Sequence, residues 1–264
     1  MPLIEVDKII SIVNDVLKTG KIKGESPMSS MVIAPPEHGK TDILELFAEN
    51  QSVSWCNDLS SNPLITKILP EVEAGRVTHI VIPDFLKILS HGRKTTMALL
   101  TLLNSLTAEG IQCINFFGVE RSFSHPLKAG VVMAITQEAF ARRRQYWREI
   151  GFLSRCPPIS YQYSEETKEK IHSSIETGCY SKVKYVRLPK AVRKIDIGAS
   201  QSSAIRTMQG AWRSKLSGYT GFRFHKQLRV LAKAIAYDDG KVEDRHIEKL
   251  RDYLTFMNFE YTVI

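Results

Sequence analysis

A short apolar run, Ser29-Ser30-Met31-Val32-Ile33-Ala34, breaks at Pro35-Pro36 and continues as Glu37-His38-Gly39-Lys40-Thr41. Asp42-Ile43-Leu44-Glu45-Leu46-Phe47 then reads as a helix. Strand, loop and helix N-terminus in that order are the layout of a loop that holds phosphate. Backbone N–H groups and the positive end of the helix dipole face the phosphate oxygens. Lys40 is placed to reach the β- and γ-phosphates, and the Thr41 hydroxyl to bind Mg2+. Ala34, Pro35, Pro36, Glu37, His38, Gly39, Lys40, Thr41 and Asp42 are therefore the candidate nucleotide-binding residues. The pattern G-x-x-x-x-G-K-[ST] is met except at its first position, where Ala34 stands for a glycine that eases a tight turn. A chance Gly-Lys-Thr in a surface turn is the alternative, and the flanking strand and helix weigh against it.

The rest of the chain supplies the framework such a loop needs. Apolar residues from Ile4 to Leu17 form a helical stripe that stops at Gly20, giving an N-terminal helix over 3–19. Strands are expected at 52–56, 79–82, 112–117, 130–135 and 159–163, the continuous apolar run His79-Ile80-Val81-Ile82 being of the buried, parallel type. Helices are expected from Asn62-Pro63 to about Ala74, from about Lys94 to Ala108, and over the basic stretch from Gln137 to Ile150. Residues 118–128 read as a loop or hairpin. Strand alternating with helix predicts an α/β fold, a parallel sheet with helices on both faces, over 1–163. From Ser164 the pattern changes. A helix capped by Ser164-Glu165-Glu166 and stopped at Gly178, then helices near 201–216, 223–237 and 243–258, predict an all-helical domain over 164–264.

Charge narrows the partners. The net charge is +8, but residues 1–164 hold 17 Lys/Arg against 16 Asp/Glu. Residues 165–264 hold 19 against 12, and within 182–233 the count is 13 against the single acid Asp196. That density fits a polyanion, most naturally nucleic acid, with a solvated basic face as the bland reading. Lys182, Lys184, Arg187, Lys190, Arg193 and Lys194 are the candidate nucleic-acid contacts, interleaved with aromatics that are as well placed for core. No apolar run approaches the ~20 residues a membrane span needs, and the N-terminus lacks the features of a signal peptide. Cys56, Cys113, Cys156 and Cys179 lie far apart and form no C-x-x-C pair, which fits free thiols in a reducing, cytoplasmic setting. The histidines show no zinc spacing, there is no G-x-S-x-G elbow, and Cys156 has no activating partner in its neighbourhood.

A phosphate loop requires an acid on a neighbouring strand to hold Mg2+ and orient water. Asp84, just after Ile80–Ile82, is the candidate. The usual ending is two acids, whereas here it is Pro83-Asp84-Phe85. Either Asp84 takes the metal-side role and the activating Glu has become Phe85, or Pro83 replaces the metal acid and Asp84 activates water. A strand-capping Asp with no catalytic role is the third possibility.

The order of Ala-Pro-Pro-Glu-His-Gly-Lys-Thr, the strand ending at Asp84, the strand ending Met133-Ala134-Ile135-Thr136-Gln137, and Phe152-Leu153-Ser154-Arg155 resembles an AAA+ ATPase. The helical region after it resembles the lid of that superfamily. Phe-Leu-Ser-Arg and Arg223-Phe224-His225-Lys226-Gln227-Leu228-Arg229-Val230-Leu231-Ala232 are similar to the minichromosome maintenance helicase group, and the likeness spans about 28–258. It implies ATP and Mg2+ as cofactors and a homo-oligomeric ring or spiral acting on DNA, with a further protein partner open. Thr136, or Gln137 beside it, then matches the polar sensor near the γ-phosphate, where Asn is usual. Arg155 matches the arginine finger that reaches a neighbouring subunit's nucleotide, with Arg142, Arg143 and Arg144 as rivals. Arg223 matches the second sensor, a contact to the nucleotide of its own chain. The insertion carrying Arg121, His125 and Lys128 corresponds to a hairpin that related helicases point into a central pore. Two other classes stay open: a nucleotide-gated scaffold that hardly hydrolyses, and a protein-interaction module with a vestigial site.

Overall fold

The computed structural model describes residues 2–116, 119–178, 184–213 and 221–257. Five strands form a wholly parallel sheet: β1 (Ser30–Ala34), β2 (Val53–Trp55), β3 (His79–Ile82), β6 (Gly130–Thr136) and β7 (Pro158–Ser160), in the order β2-β3-β6-β1-β7. The fold class is α/β, as the alternation of periods implies. All parallel strands need both faces covered, and β1 and β3 are buried along their whole length. Side chains still alternate. Val32, Ala34, Val81, Val132 and Ala134 enter one core, while Met31, Ile33, Ile80, Ile82, Val131, Met133 and Ile135 enter the other.

Against the second face lie a helical run over 61–73 made of α3 (Ser61–Pro63), the turn Leu64–Ile68 and α4 (Leu69–Glu73), then α5 (Phe85–Leu89), α6 (Arg93–Leu106) and α7 (Gln137–Glu149). The run over 61–73 was expected as one regular helix; its middle, Leu64–Ile68, is π-helical. The expected sheet strand at 112–117 is a correction. β4 (Ile111–Phe116) pairs antiparallel with β5 (Val119–Leu127) in a separate hairpin. Its sequence gives the reason: Ile111 and Ile114 are buried but Gln112, Cys113 and Asn115 are exposed, so this strand cannot sit inside a sheet covered on both sides.

The first face is covered by α1 (Asp7–Lys18), α2 (Lys40–Glu45), α10 (Phe222–Ile235) and α11 (Asp244–Leu254), with α9 (Ala199–Arg213) against the last two. Helices were expected at these places and at α8 (Glu165–Glu176), which Ser164 caps. The segment after 163 is not purely helical, however. β8 (Asp196–Ile197) pairs in parallel with β9 (Lys241–Val242), and 184–195 is an extended strap. That strap has no helical apolar period; it is held instead by Asn50, whose Nδ2 donates to Val186 O and whose Oδ1 accepts from Leu188 N. One apolar cluster runs from the sheet through α1 to α10 and α11. At its edge Asp15, nearly fully buried, accepts from Tyr253 Oη at 2.7 Å and pairs with Lys249 at 3.0 Å. No helix among the described residues is long and apolar enough to cross a membrane.

His79 opens β3 with no exposed surface. Its Nε2 contacts Met28 O at 3.1 Å and its Nδ1 Thr78 Oγ1 at 3.1 Å. Gly130 on β6 is required beside it, since a Cβ there would come within 2.4 Å of His79 Cδ2. Burial pushes the imidazole down to about 4, so it folds neutral. With a folded value below the ordinary 6.5, its contribution to stability is complete above pH 6.5 and is lost as pH falls toward 4. Unfolding free energy from denaturant titrations should drop by roughly 3 kcal/mol across that window on this account, and His79→Gln should flatten the slope. Identical slopes in both proteins would sink the assignment.

Candidate phosphate-binding site

Because every strand of the main sheet runs the same way, their carboxyl ends gather on one edge. There β6 lies between β1 and β3, so the tips carrying Ala34, Thr136 and Asp84 stand side by side. Ala34 is paired with Thr136 in register. Ala34 is the last residue of β1 and has a negative φ. The position therefore asks for no glycine, and alanine carries no conformational cost there. The turn is made further on, by left-handed Glu37 (φ 60°) and Gly39 (φ 68°).

The loop is braced from the neighbouring chain segment. Tyr161 Oη donates to His38 O, and the His38 ring stacks on Tyr163 with centroids 4.7 Å apart. His38 Nδ1 lies 2.8 Å from Pro36 O. These two tyrosines follow edge strand β7, and sequence reading did not pick them out; Tyr161-Gln162-Tyr163 after a strand was the available signal. Burial raises both phenols, Tyr163 to about 12, and the nearby Asp42 carboxylate adds to it. They are hydrogen-bonding and packing groups, not proton carriers.

Lys40 begins α2 and folds back on the loop, its Nζ donating to Ala34 O at 2.9 Å and Pro35 O at 2.5 Å. Burial pushes its ammonium down to about 8, against the pull of the Asp84 carboxylate, which raises it. Thr41 is exposed beside it, with Oγ1 3.4 Å from Pro83 O. Asp84 caps α5, accepting from Leu86 N at 3.0 Å, and is half-buried. A triphosphate with Mg2+ fits this donor set: a desolvated ammonium for the phosphates, and the Thr41 hydroxyl and Asp84 carboxylate as oxygen ligands, phosphate and water supplying the rest. Among the described residues no cluster of three His, Cys, Asp or Glu could hold a metal unaided.

Phe85 settles one structural question. Its side chain is fully buried in the second core, 5.9 Å from the Trp147 ring and 6.0 Å from that of Phe152. The position after Asp84 points away from the phosphate loop. Asp84 is thus the acid that this strand end presents to Lys40.

The two expected arginines lie elsewhere. Glu109 follows α6, and Lys128 precedes β6, at the amino-terminal edge of the sheet. There Arg155 Nη2 meets Glu109 Oε1 at 3.2 Å and Arg223 Nη2 meets the same oxygen at 3.4 Å. Arg223 Nη1 also donates to Ser154 Oγ at 2.8 Å, and Gln227 Nε2 to Arg155 O at 2.8 Å. Gly151 (φ 70°) makes room, since a Cβ there would come 2.7 Å from Arg155 Nη1. The structure therefore brings Arg223 together with Arg155 and not with the loop of its own chain, because α10 enters the core along the amino-terminal edge. Arg142, Arg143 and Arg144 sit on α7, Arg142 exposed and the other two half-buried.

The candidate nucleic-acid residues fall into two groups. Lys184, Arg187, Lys190, Arg193 and Lys194 are exposed on the strap over the first face, Arg193 lying 5.0 Å over the Tyr237 ring and Lys194 3.5 Å from Asp196. Lys182 lies outside the described residues. Arg121 is on the hairpin at the second face, over Phe123 and bonded to Ile65 O at 3.4 Å, so part of its work is packing. Lys128 lines a groove of about 810 Å3 with Arg223, Lys226, Arg229 and Glu109. The strap and the hairpin are not brought together within one chain.

Comparison with protein-family models and with curated proteins gives no match.

With Lys40 titrating near 8, a polyphosphate should bind with level affinity below that pH and lose up to about tenfold per unit above it. Asp84→Asn removes the charge that holds the value up and should move the break lower. Calorimetric titration with Mg-ATP from neutrality into the alkaline range tests this, and an affinity that stays level would refute it.

Proposed function

We propose that this chain is an ATP-binding protein of the AAA+ kind, assembling with copies of itself and acting on DNA as a motor, loader or remodelling subunit. The observation that carries the reading is the desolvated Lys40 beside Asp84 and Thr136 at one edge of a parallel sheet, under a loop made for phosphate. On this reading Lys40 holds the β- and γ-phosphates. Thr41 and Asp84 hold Mg2+, which supplies charge neutralisation at the transferring phosphoryl group. Thr136 polarises the γ-phosphate or its attacking water.

The placement of the arginines supports the self-assembly part of this reading. Arg155 and Arg223 stand at the edge of the sheet opposite Lys40, so within one chain neither completes the site. A second copy stacked head to tail would present its nucleotide to them, and their charge would stabilise the transition state. In this arrangement the helical part after 163 works as a lid on the neighbour's nucleotide. The strap cations offer DNA a phosphate-binding face. Cys56, Cys113 and Cys156 are free thiols, which suits a cytoplasmic setting.

A second reading, a nucleotide-gated scaffold with little turnover, is favoured by one observation: the position after Asp84 is a core phenylalanine, so a second strand-end acid is missing. Steady-state hydrolysis with and without DNA, beside Lys40→Ala and Arg155→Ala, separates the two. Turnover stimulated by DNA, abolished by Lys40→Ala and cut about a thousandfold by Arg155→Ala is the expected result. Absence of turnover together with a thermal midpoint raised by Mg-ATP would leave the scaffold; no rise would leave a vestigial site. Phe85→Glu should not rescue hydrolysis in either case. It buries a carboxylate among Trp147 and Phe152 and should cost about 3 kcal/mol or more of stability.

A further inference from the structure

We propose that Glu109 is a latch: in the isolated chain its carboxylate occupies the place that the terminal phosphate of a nucleotide, held by a second copy, takes on assembly. The inference rests on the trans role proposed for Arg155 and Arg223. Three separate segments converge on this one carboxylate: the end of α6, the loop carrying Ser154 and Arg155, and the first turn of α10 with Arg223. Both guanidinium groups meet Oε1, at 3.2 and 3.4 Å, and Arg155 Nη2 also reaches Oε2 at 3.5 Å. That is how a phosphate oxygen would be received, and a carboxylate is the side-chain group nearest to it in charge and geometry.

The parts differ in how firmly they are held. Arg155 is fixed: its side chain is 14% exposed, Nη1 donates to Gly151 O at 2.9 Å, and its carbonyl is tied to Gln227. Arg223 is braced by Ser154 Oγ. Glu109 is the loose member, its side chain 63% exposed just past the end of its helix. Exposed ion pairs of this sort are weak and screened, so a ligand with several negative charges displaces the carboxylate readily. The groove beside it gives that ligand room, being about 810 Å3 and lined by Lys128, Lys226 and Arg229 as well as Arg223. While Glu109 holds both arginines, each subunit is discouraged from engaging a neighbour that carries no nucleotide. A triphosphate on that neighbour outcompetes the latch, which makes assembly depend on the nucleotide.

The test compares the full-length chain with Glu109→Gln, with Arg155→Ala and with the double variant. It follows Mg-ATP-dependent self-association by sedimentation and turnover against protein concentration. Glu109→Gln should reach half-assembly at a protein concentration about three- to tenfold lower, with ATP affinity of the dilute chain and the thermal midpoint unchanged. In the Arg155→Ala background the same substitution should have no effect. Glu109→Asp should restore concentration dependence toward that of the unaltered chain. If Arg155→Ala abolishes assembly while Glu109→Gln leaves the concentration dependence where it was, the latch is wrong and the trans arginine stands. If Glu109→Gln lowers the midpoint and weakens assembly, the residue is a strut. A gain in affinity for DNA without nucleotide, in place of a gain in assembly, would give the groove to nucleic-acid phosphate and overturn the proposal. Lack of any Mg-ATP-dependent association in the unaltered chain would remove the trans reading and the latch with it.

Discussion

Parallel pairing of β1 with β6 decides where everything else can stand. The register that sets Ala34 against Thr136 also puts β3 on the far side of β6, and with it Asp84. Because both faces of these strands are buried, slipping the register by one residue would exchange Val32 and Ala34 for Met31 and Ile33 between two different cores. That penalty fixes the three strand tips relative to one another. The loop itself is left with little freedom: Tyr161 and Tyr163 grip His38 from the segment after the edge strand, and prolines occupy two of its positions. A rigid framework with polar groups only at its rim is what preorganised phosphate binding requires.

Electrostatics at that rim are unbalanced in a useful way. Lys40 spends its hydrogen bonds on Ala34 and Pro35 carbonyls, which are neutral partners and cannot offset the burial of its charge. The single carboxylate that pulls its affinity for protons back up is Asp84. An anionic ligand would repay the desolvation, so the cost of holding Lys40 in place is recovered on binding. At the other rim the imbalance is reversed: Arg155 and Arg223 have a carboxylate between them, and it is the most exposed of the three.

What the sequence disclosed follows from how local each signal is. The turn after Ala34, the apolar run from His79 to Ile82 and the stripes of α1, α10 and α11 are set by neighbours a few residues apart, and each was readable. The hairpin was half readable. Residues 112–117 suggested a strand, but only the exposure of Gln112, Cys113 and Asn115 tells it from a sheet strand, and exposure is a tertiary property. The strap over 184–195 has no period because it is tied down by Asn50, more than a hundred residues earlier. Phe85 looked like a lost catalytic acid; in space it is the centre of an aromatic cluster with Trp147 and Phe152. Glu109 directly follows the helix expected from Lys94 to Ala108 and carries no local signal of its own. Its partners are 46 and 114 residues away, beyond the reach of any local pattern.

The deeper consequence of the parallel sheet is polarity. Groups suited to phosphate lie at both ends of the strands, but they are complementary, a lysine, hydroxyl and carboxylate at one end and paired arginines at the other. The sheet holds the two ends apart, so folding alone does not bring them together. On the proposed trans reading a head-to-tail contact joins unlike ends, and contacts of that class close into rings or run on as spirals. The strap cations would then repeat around the assembly, giving a polyanion a periodic track that no single subunit offers. On the same proposal, the Glu109 carboxylate between the arginines is what keeps such an open-ended surface from joining its neighbours indiscriminately.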